Sequence, residues 1–204
     1  MKPSRKIAFC SIPFVLALLL LSCSKDNLVY LDETAPLKDK SSVFPLYLSN
    51  EWAYVDSFQY GLYWKTKLLV RSVSGFTQEG NTTWWGMSPW GEYSVDNQGV
   101  HVRAVGFSPT LMYAFPKSTT DTVVYLGKTQ YSLTVDTVRA YYLDHALTVP
   151  AGTFDSVVVF TAKGFIGVTT REYFRPRLGL LAYDVYSDSV RYLSGRLVYL
   201  RLVP

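Results

Sequence analysis

Apolar and polar residues alternate with a period close to two through most of the chain beyond Phe44, the signature of strands that bury one face. Leu62, Trp64, Leu68 and Val70 fall on one side of an extended run, and Lys65, Lys67 and Arg71 fall on the other. Tyr131, Leu133 and Val135 oppose Gln130, Ser132, Thr134 and Asp136, and Val100, Val102 and Ala104 oppose His101 and Arg103. Tyr, Phe, Trp, Val and Thr dominate these runs, and such side chains suit a pleated, half-buried surface. Turn formers recur between them, among them Glu79-Gly80-Asn81, Ser88-Pro89, Asp96-Asn97-Gln98-Gly99, Pro150-Ala151-Gly152 and Arg175-Pro176. The pattern predicts an all-β domain of about ten or eleven strands, built as a single antiparallel curved sheet or an open or closed β-barrel, because an open twisted sheet of that size curls or closes. Residues 137–148 allow a second reading as a short helix, since Val138, Tyr141, Tyr142 and His145 recur at helical intervals.

The first residues follow a different pattern. Lys2, Arg5 and Lys6 precede an almost wholly apolar stretch from Ile7 to Leu21, and no acid occurs before Asp26. That order of charge and then apolar residues is the pattern of a secretory signal. If helical, the stretch would be about 24 Å long, short of the roughly 30 Å hydrocarbon core of a bilayer. Pro13 within it and the polar run Ser24-Lys25-Asp26-Asn27 after it favour a removed segment over a permanent span.

Leu20-Leu21-Ser22-Cys23 resembles the lipobox of bacterial lipoproteins, and the tract after it is similar to the start of mature lipoproteins from Bacteroidetes-type bacteria. The resemblance implies cleavage before Cys23, a fatty acyl group such as palmitate on that cysteine, and a lipid-anchored place in the cell envelope. The expected site is the outer membrane, on its periplasmic or its surface face. The organisation expected is a signal peptide over 1–22, a polar tether over 23–43 from the acylated cysteine, and a β domain over 44–204. Loss of the signal also removes Cys10, leaving the β domain without a thiol and therefore without disulfides, cysteine nucleophiles or thiolate metal sites. It lowers the formal charge from +4 to about +1, too little for the concentrated basic face of a nucleic-acid binder.

Two further tracts carry a resemblance at family level. Phe44-Pro45-Leu46 with Asn50-Glu51-Trp52-Ala53-Tyr54 and Asp56-Ser57 forms the first; Val149-Pro150-Ala151-Gly152-Thr153-Phe154 with Glu172-Tyr173-Phe174 and Leu178-Gly179-Leu180 forms the second. Their order is similar to that in exported proteins and lipoproteins of unknown function with an open or half-closed β-barrel, broadly like the lipoprotein-carrier proteins of the envelope. That likeness implies a fold and transfers no catalytic residue. The glycine of the Leu-Gly-Leu tract is expected to permit a close approach by a neighbouring strand.

Chemistry is sparse. His101 and His145 are the two histidines, neither in a metal spacing, and the carboxylates are scattered rather than paired. There is no phosphate loop, no Gly-x-Ser-x-Gly and no His-Glu-x-x-His. No catalytic residue, metal ligand or cofactor is assigned, and the chain is expected not to be an enzyme; a hydrolase assembled from dispersed carboxylates is the third-ranked reading. The tract from Thr82 to Tyr93 holds Trp84, Trp85 and Trp90 beside turn formers. Neighbours in a strand point to opposite faces, so Trp84 and Trp85 cannot both enter one core. The alternatives are packing between sheet layers or a ligand-binding platform for sugars, lipids or proteins. The leading expectation is a non-enzymatic binding or structural module that takes an apolar ligand or contacts an envelope protein; a glycan-binding surface at Trp84, Trp85 and Trp90 is the alternative. The row Lys65, Lys67 and Arg71 reads as a solvated face, or as one that attracts anionic groups at short range.

Overall fold

The structure, a computed structural model, describes residues 43–88, 91–104, 108–131, 134–164 and 167–202. Its strands in chain order are β1 (Glu51–Tyr60), β2 (Tyr63–Glu79), β3 (Thr82–Ser88), β4 (Gly91–Val95), β5 (Val100–Arg103), β6 (Thr110–Tyr113) and β7 (Thr122–Gly127). They continue with β8 (Asp136–Tyr142), β9 (Leu147–Val149), β10 (Gly152–Phe154), β11 (Val158–Lys163), β12 (Val168–Arg175), β13 (Gly179–Ser187) and β14 (Val190–Arg201). The all-β expectation holds, and residues 137–148 form strand β8, a turn and most of β9 instead of a helix.

Twelve of these strands form one antiparallel sheet in the order β6-β5-β4-β3-β2-β1-β14-β13-β12-β11-β8-β7, and β9 and β10 form a separate hairpin. The sheet curls until its two edges nearly meet. Lys128 N–H donates to the Leu111 carbonyl at 2.9 Å, and the Tyr125 hydroxyl donates to the Met112 carbonyl at 2.6 Å. The result is a nearly closed barrel, which leaves little free edge.

The core shows why the two family-like tracts stand where they do. Trp52 Nε1–H donates to the Leu178 carbonyl at 2.7 Å, and the Tyr54 hydroxyl donates to the Leu180 carbonyl at 2.8 Å, so the two tracts meet across 126 residues of sequence. Gly179, at φ 97°, lies where an added Cβ would stand 3.0 Å from the rings of Phe44 and Trp52. Aromatic rings, rather than a neighbouring strand, therefore make the close approach. Phe44, Tyr113, Phe115, Phe160 and Phe174 then pack edge to face or tilted, with centroids 4.7 to 6.5 Å apart.

Two local readings of the sequence are reversed. In the first half of β2 the inward face carries Lys65, Lys67, Leu69 and Arg71, while Trp64, Leu68 and Val70 face solvent. Arg71 is only 3% exposed, opposite Trp52, so it drops out of the solvated row, while Lys65 and Lys67 stay exposed. The physical reason is charge: Glu172 and Asp56 are buried in the same interior and need a cation near them. The run through Tyr131 is likewise no strand. Residues 128–131 and 134–135 hold no strand; the Tyr131 ring lies 4.4 Å from that of Tyr183, while Val135 is exposed.

Candidate functional site

Three regions carry chemistry or unusual exposure. The first is the barrel interior. Glu172 on β12 is fully buried; its carboxylate accepts the Tyr113 hydroxyl at 2.6 Å and the Gln130 backbone N–H at 2.7 Å. Burial pushes its pKa up to about 7, against the lowering effect of those bonds and of Arg71. Asp56 accepts a short hydrogen bond from the Tyr183 hydroxyl, and burial raises its pKa as well. Arg71 donates to the Tyr131 hydroxyl at 3.0 Å and lies 4.9 Å from the Tyr54 ring centre. Side chains fill this space. The void left between Trp52, Tyr54, Arg71, Tyr93, Tyr113 and Gln130 measures about 10 Å³, room for one water. That void is too small for an apolar ligand.

The second region is a cleft in the barrel wall. Pairing between β3 and β4 stops at Trp85 opposite Tyr93, and beyond that point the two strands diverge. The opening has a volume of about 450 Å³ and is bordered by Tyr47, Thr83, Trp84, Trp85, Ser94 and His101, among others. Trp84 and Trp85 take opposite faces, as strand alternation requires. Trp85 packs against the core between Tyr47 at 6.0 Å and Phe76 at 5.2 Å. Trp84 faces outward yet is only 5% exposed, because the Arg103 guanidinium sits 4.3 Å above its ring. Arg103 is held there by Glu79 at 2.6 Å, Glu92 at 2.7 Å and Thr77 at 3.2 Å.

The third region is the outward face of the β1–β2 ribbon. Leu62 is 93% and Tyr63 75% exposed at its tip, and Tyr60, Trp64, Leu68 and Val70 are exposed beside them. Lys65 and Lys67 are exposed on the ribbon's other face.

No family model matches the sequence, and no curated protein matches it either. Among solved structures, one similar chain is a protein described as a lipoprotein from Parabacteroides distasonis, 14% identical, with a TM-score of 0.47 over 80% of this chain and all of that one. Another is described as an exported protein with a YmcC-like fold from Bacteroides fragilis, 11% identical, with a TM-score of 0.46 over 78% of this chain and 98% of that one.

The remaining residues singled out by sequence fall as follows. Cys23 and Trp90 lie outside the described residues. His101 Nε2 lies 3.1 Å from Asp96 at the edge of the cleft, and Asp96 also accepts the backbone N–H groups of Gln98 and Gly99, so this pair is built into the β4–β5 turn. His145 Nδ1 lies 2.5 Å from Asp144 on the exposed β8–β9 turn, far from any second carboxylate pair named above. Among the described residues no three His, Cys, Asp or Glu side chains converge as metal ligands. Sequence reasoning missed Tyr47 and Ser94, which reach the cleft from separate elements with nothing local to mark them, and placed Arg71 in a surface row and Glu172 in a family-like tract without pairing them.

Because Trp84 is covered on the outer wall, Trp84→Ala should lower stability by about 2 kcal/mol through lost packing and the lost cation–π contact. A urea melt that shifts its midpoint without changing its slope would register that loss.

Proposed function

We propose that the chain is a lipid-anchored envelope protein whose β domain is a non-enzymatic contact module working through its outer surface. The anchor rests on the order of Lys2, Arg5 and Lys6, the apolar stretch and Leu20-Leu21-Ser22-Cys23. The contact reading rests on one observation: the β1–β2 ribbon turns Leu62, Trp64, Leu68 and Val70 to solvent. Exposed apolar groups gathered on one element are costly in water and mark contact surfaces. The partner favoured is an envelope protein, since a flat, two-sided ribbon offers edge and face together.

The anchor is tested by Cys23→Ser with fractionation and intact-mass analysis; release from the membrane with loss of the acyl mass is expected, and unchanged association would reject it. For the ribbon, a photo-crosslinking amino acid at Leu62 should give a discrete protein adduct in the producing cell, and one at Gln78 should not. Leu68→Lys should abolish that adduct while leaving the melting temperature within about 2 °C, because its side chain is exposed. An adduct that survives Leu68→Lys, or none at Leu62, counts against the contact face.

A further inference from the structure

We infer that the cleft between β3 and β4 is a binding site for a neutral saccharide. This is a surface distinct from the β1–β2 ribbon, and the inference does not use it. Its volume of about 450 Å³ lies within the usual range for small-ligand sites, roughly 300 to 1,000 Å³. The opposite character of the barrel interior, filled to a single water, leaves this cleft as the roomy concavity among those described.

The lining decides the ligand class. Tyr47, 54% exposed, stands edge-on to Trp85, so an aromatic wall borders the space. Thr82, Thr83, Ser94 and Asn81 border the same space, the Thr83 hydroxyl donating to Gln78 at 2.7 Å. Ser94 is only 3% exposed overall and borders the cleft. A hydroxyl on the lining can exchange hydrogen bonds with a ligand hydroxyl. Where β3 and β4 diverge, the backbone of Thr82 to Trp84 and of Ser94 to Val95 faces the gap without a partner strand across it among the described residues, adding donors and acceptors.

Charge excludes the other classes. Among the described residues no lysine or arginine borders the cleft, which leaves no cation there for a phosphate or a uronate. Its one carboxylate, Asp96, already accepts two backbone N–H groups and contacts His101, which leaves little to hold a cationic ligand. An acyl chain would give the lining hydroxyls no hydrogen bond. An extended peptide would find only two or three residues of free edge on each side, too few for a strand. A ring with one apolar face and a rim of neutral hydroxyls suits both the aromatic wall and the polar lining.

The test uses the full chain and three neutral probes, maltohexaose, cellohexaose and mannohexaose, with oligogalacturonate as the acidic comparison, followed by saturation-transfer NMR and tryptophan emission. One neutral probe should bind saturably with a change in Trp85 emission, and oligogalacturonate should not. Ser94→Ala and Tyr47→Ala should each weaken that binding by roughly tenfold with an unchanged melting temperature. Gln59→Ala, on the distant ribbon, should change nothing. Absence of binding by all three neutral probes, preference for the acidic one, or affinity indifferent to both Ser94→Ala and Tyr47→Ala would overturn the assignment.

Discussion

Between about pH 5 and about pH 8 the unaltered protein should lose roughly 8 °C in melting temperature, and Glu172→Gln should lose clearly less. The ordinary glutamate value is 4.5, and burial holds Glu172 at about 7 in the folded chain. Below the ordinary value both the folded and unfolded states carry the proton, and the full stability is present. As pH rises, the unfolded chain releases its proton first while the folded chain keeps it, so stability falls until the folded carboxyl also ionises near 7. A difference of that size corresponds to about 3 kcal/mol. Asp56, also raised by burial, acts with the same sign.

Glutamine preserves the shape and can still accept the Gln130 N–H through its carbonyl oxygen, with its amide turned toward the Tyr113 hydroxyl. It cannot ionise, so the slope contributed by this position disappears. The variant should therefore be more stable than the parent at the alkaline end and about equal at the acid end. Calorimetry at the two pH values measures both. A variant that keeps the parent's slope would place the titrating group elsewhere in the barrel.

Much of the architecture could be read from alternation alone, and the exceptions share a cause. Val100 and Val102 face inward and His101 and Arg103 outward, as period two demands, because each neighbour strand is close in sequence and the surroundings are ordinary. Trp84 and Trp85 separate to opposite faces for the same reason. The ribbon breaks the rule because hydropathy cannot register a buried Glu172 on β12, a hundred residues away, whose charge calls Arg71 inward. Once Arg71 is inside, period two forces Trp64, Leu68 and Val70 out. Tyr131 shows the same limit: its alternating surroundings resemble a strand, yet its position is set by Tyr183 and Arg71. The cleft was invisible for a geometric reason. It depends on where β3 and β4 stop pairing and on Tyr47 arriving from the entry segment, and neither is a property of a local pattern.

Gly195→Ala should be strongly destabilising. Gly195 on β14 lies between Asp56 on β1 and Tyr183 on β13 in the strand register, and the Tyr183 ring occupies the space a Cβ would need. That ring is fully buried, contacts Tyr54 and Tyr131, and supplies the hydroxyl that satisfies Asp56. An added methyl therefore displaces an aromatic ring rather than filling open space. Overpacking of this kind costs about 1–3 kcal/mol, and leaving a buried carboxylate short of a donor adds about 1–3 kcal/mol. The expected loss is about 4 kcal/mol, or roughly 10 °C in melting temperature. The mechanism predicts strong coupling: in a Tyr183→Leu background the ring is absent, and Gly195→Ala should then cost well under half as much. Equal costs in the two backgrounds would mean that the glycine serves the β14 backbone and not the tyrosine packed upon it.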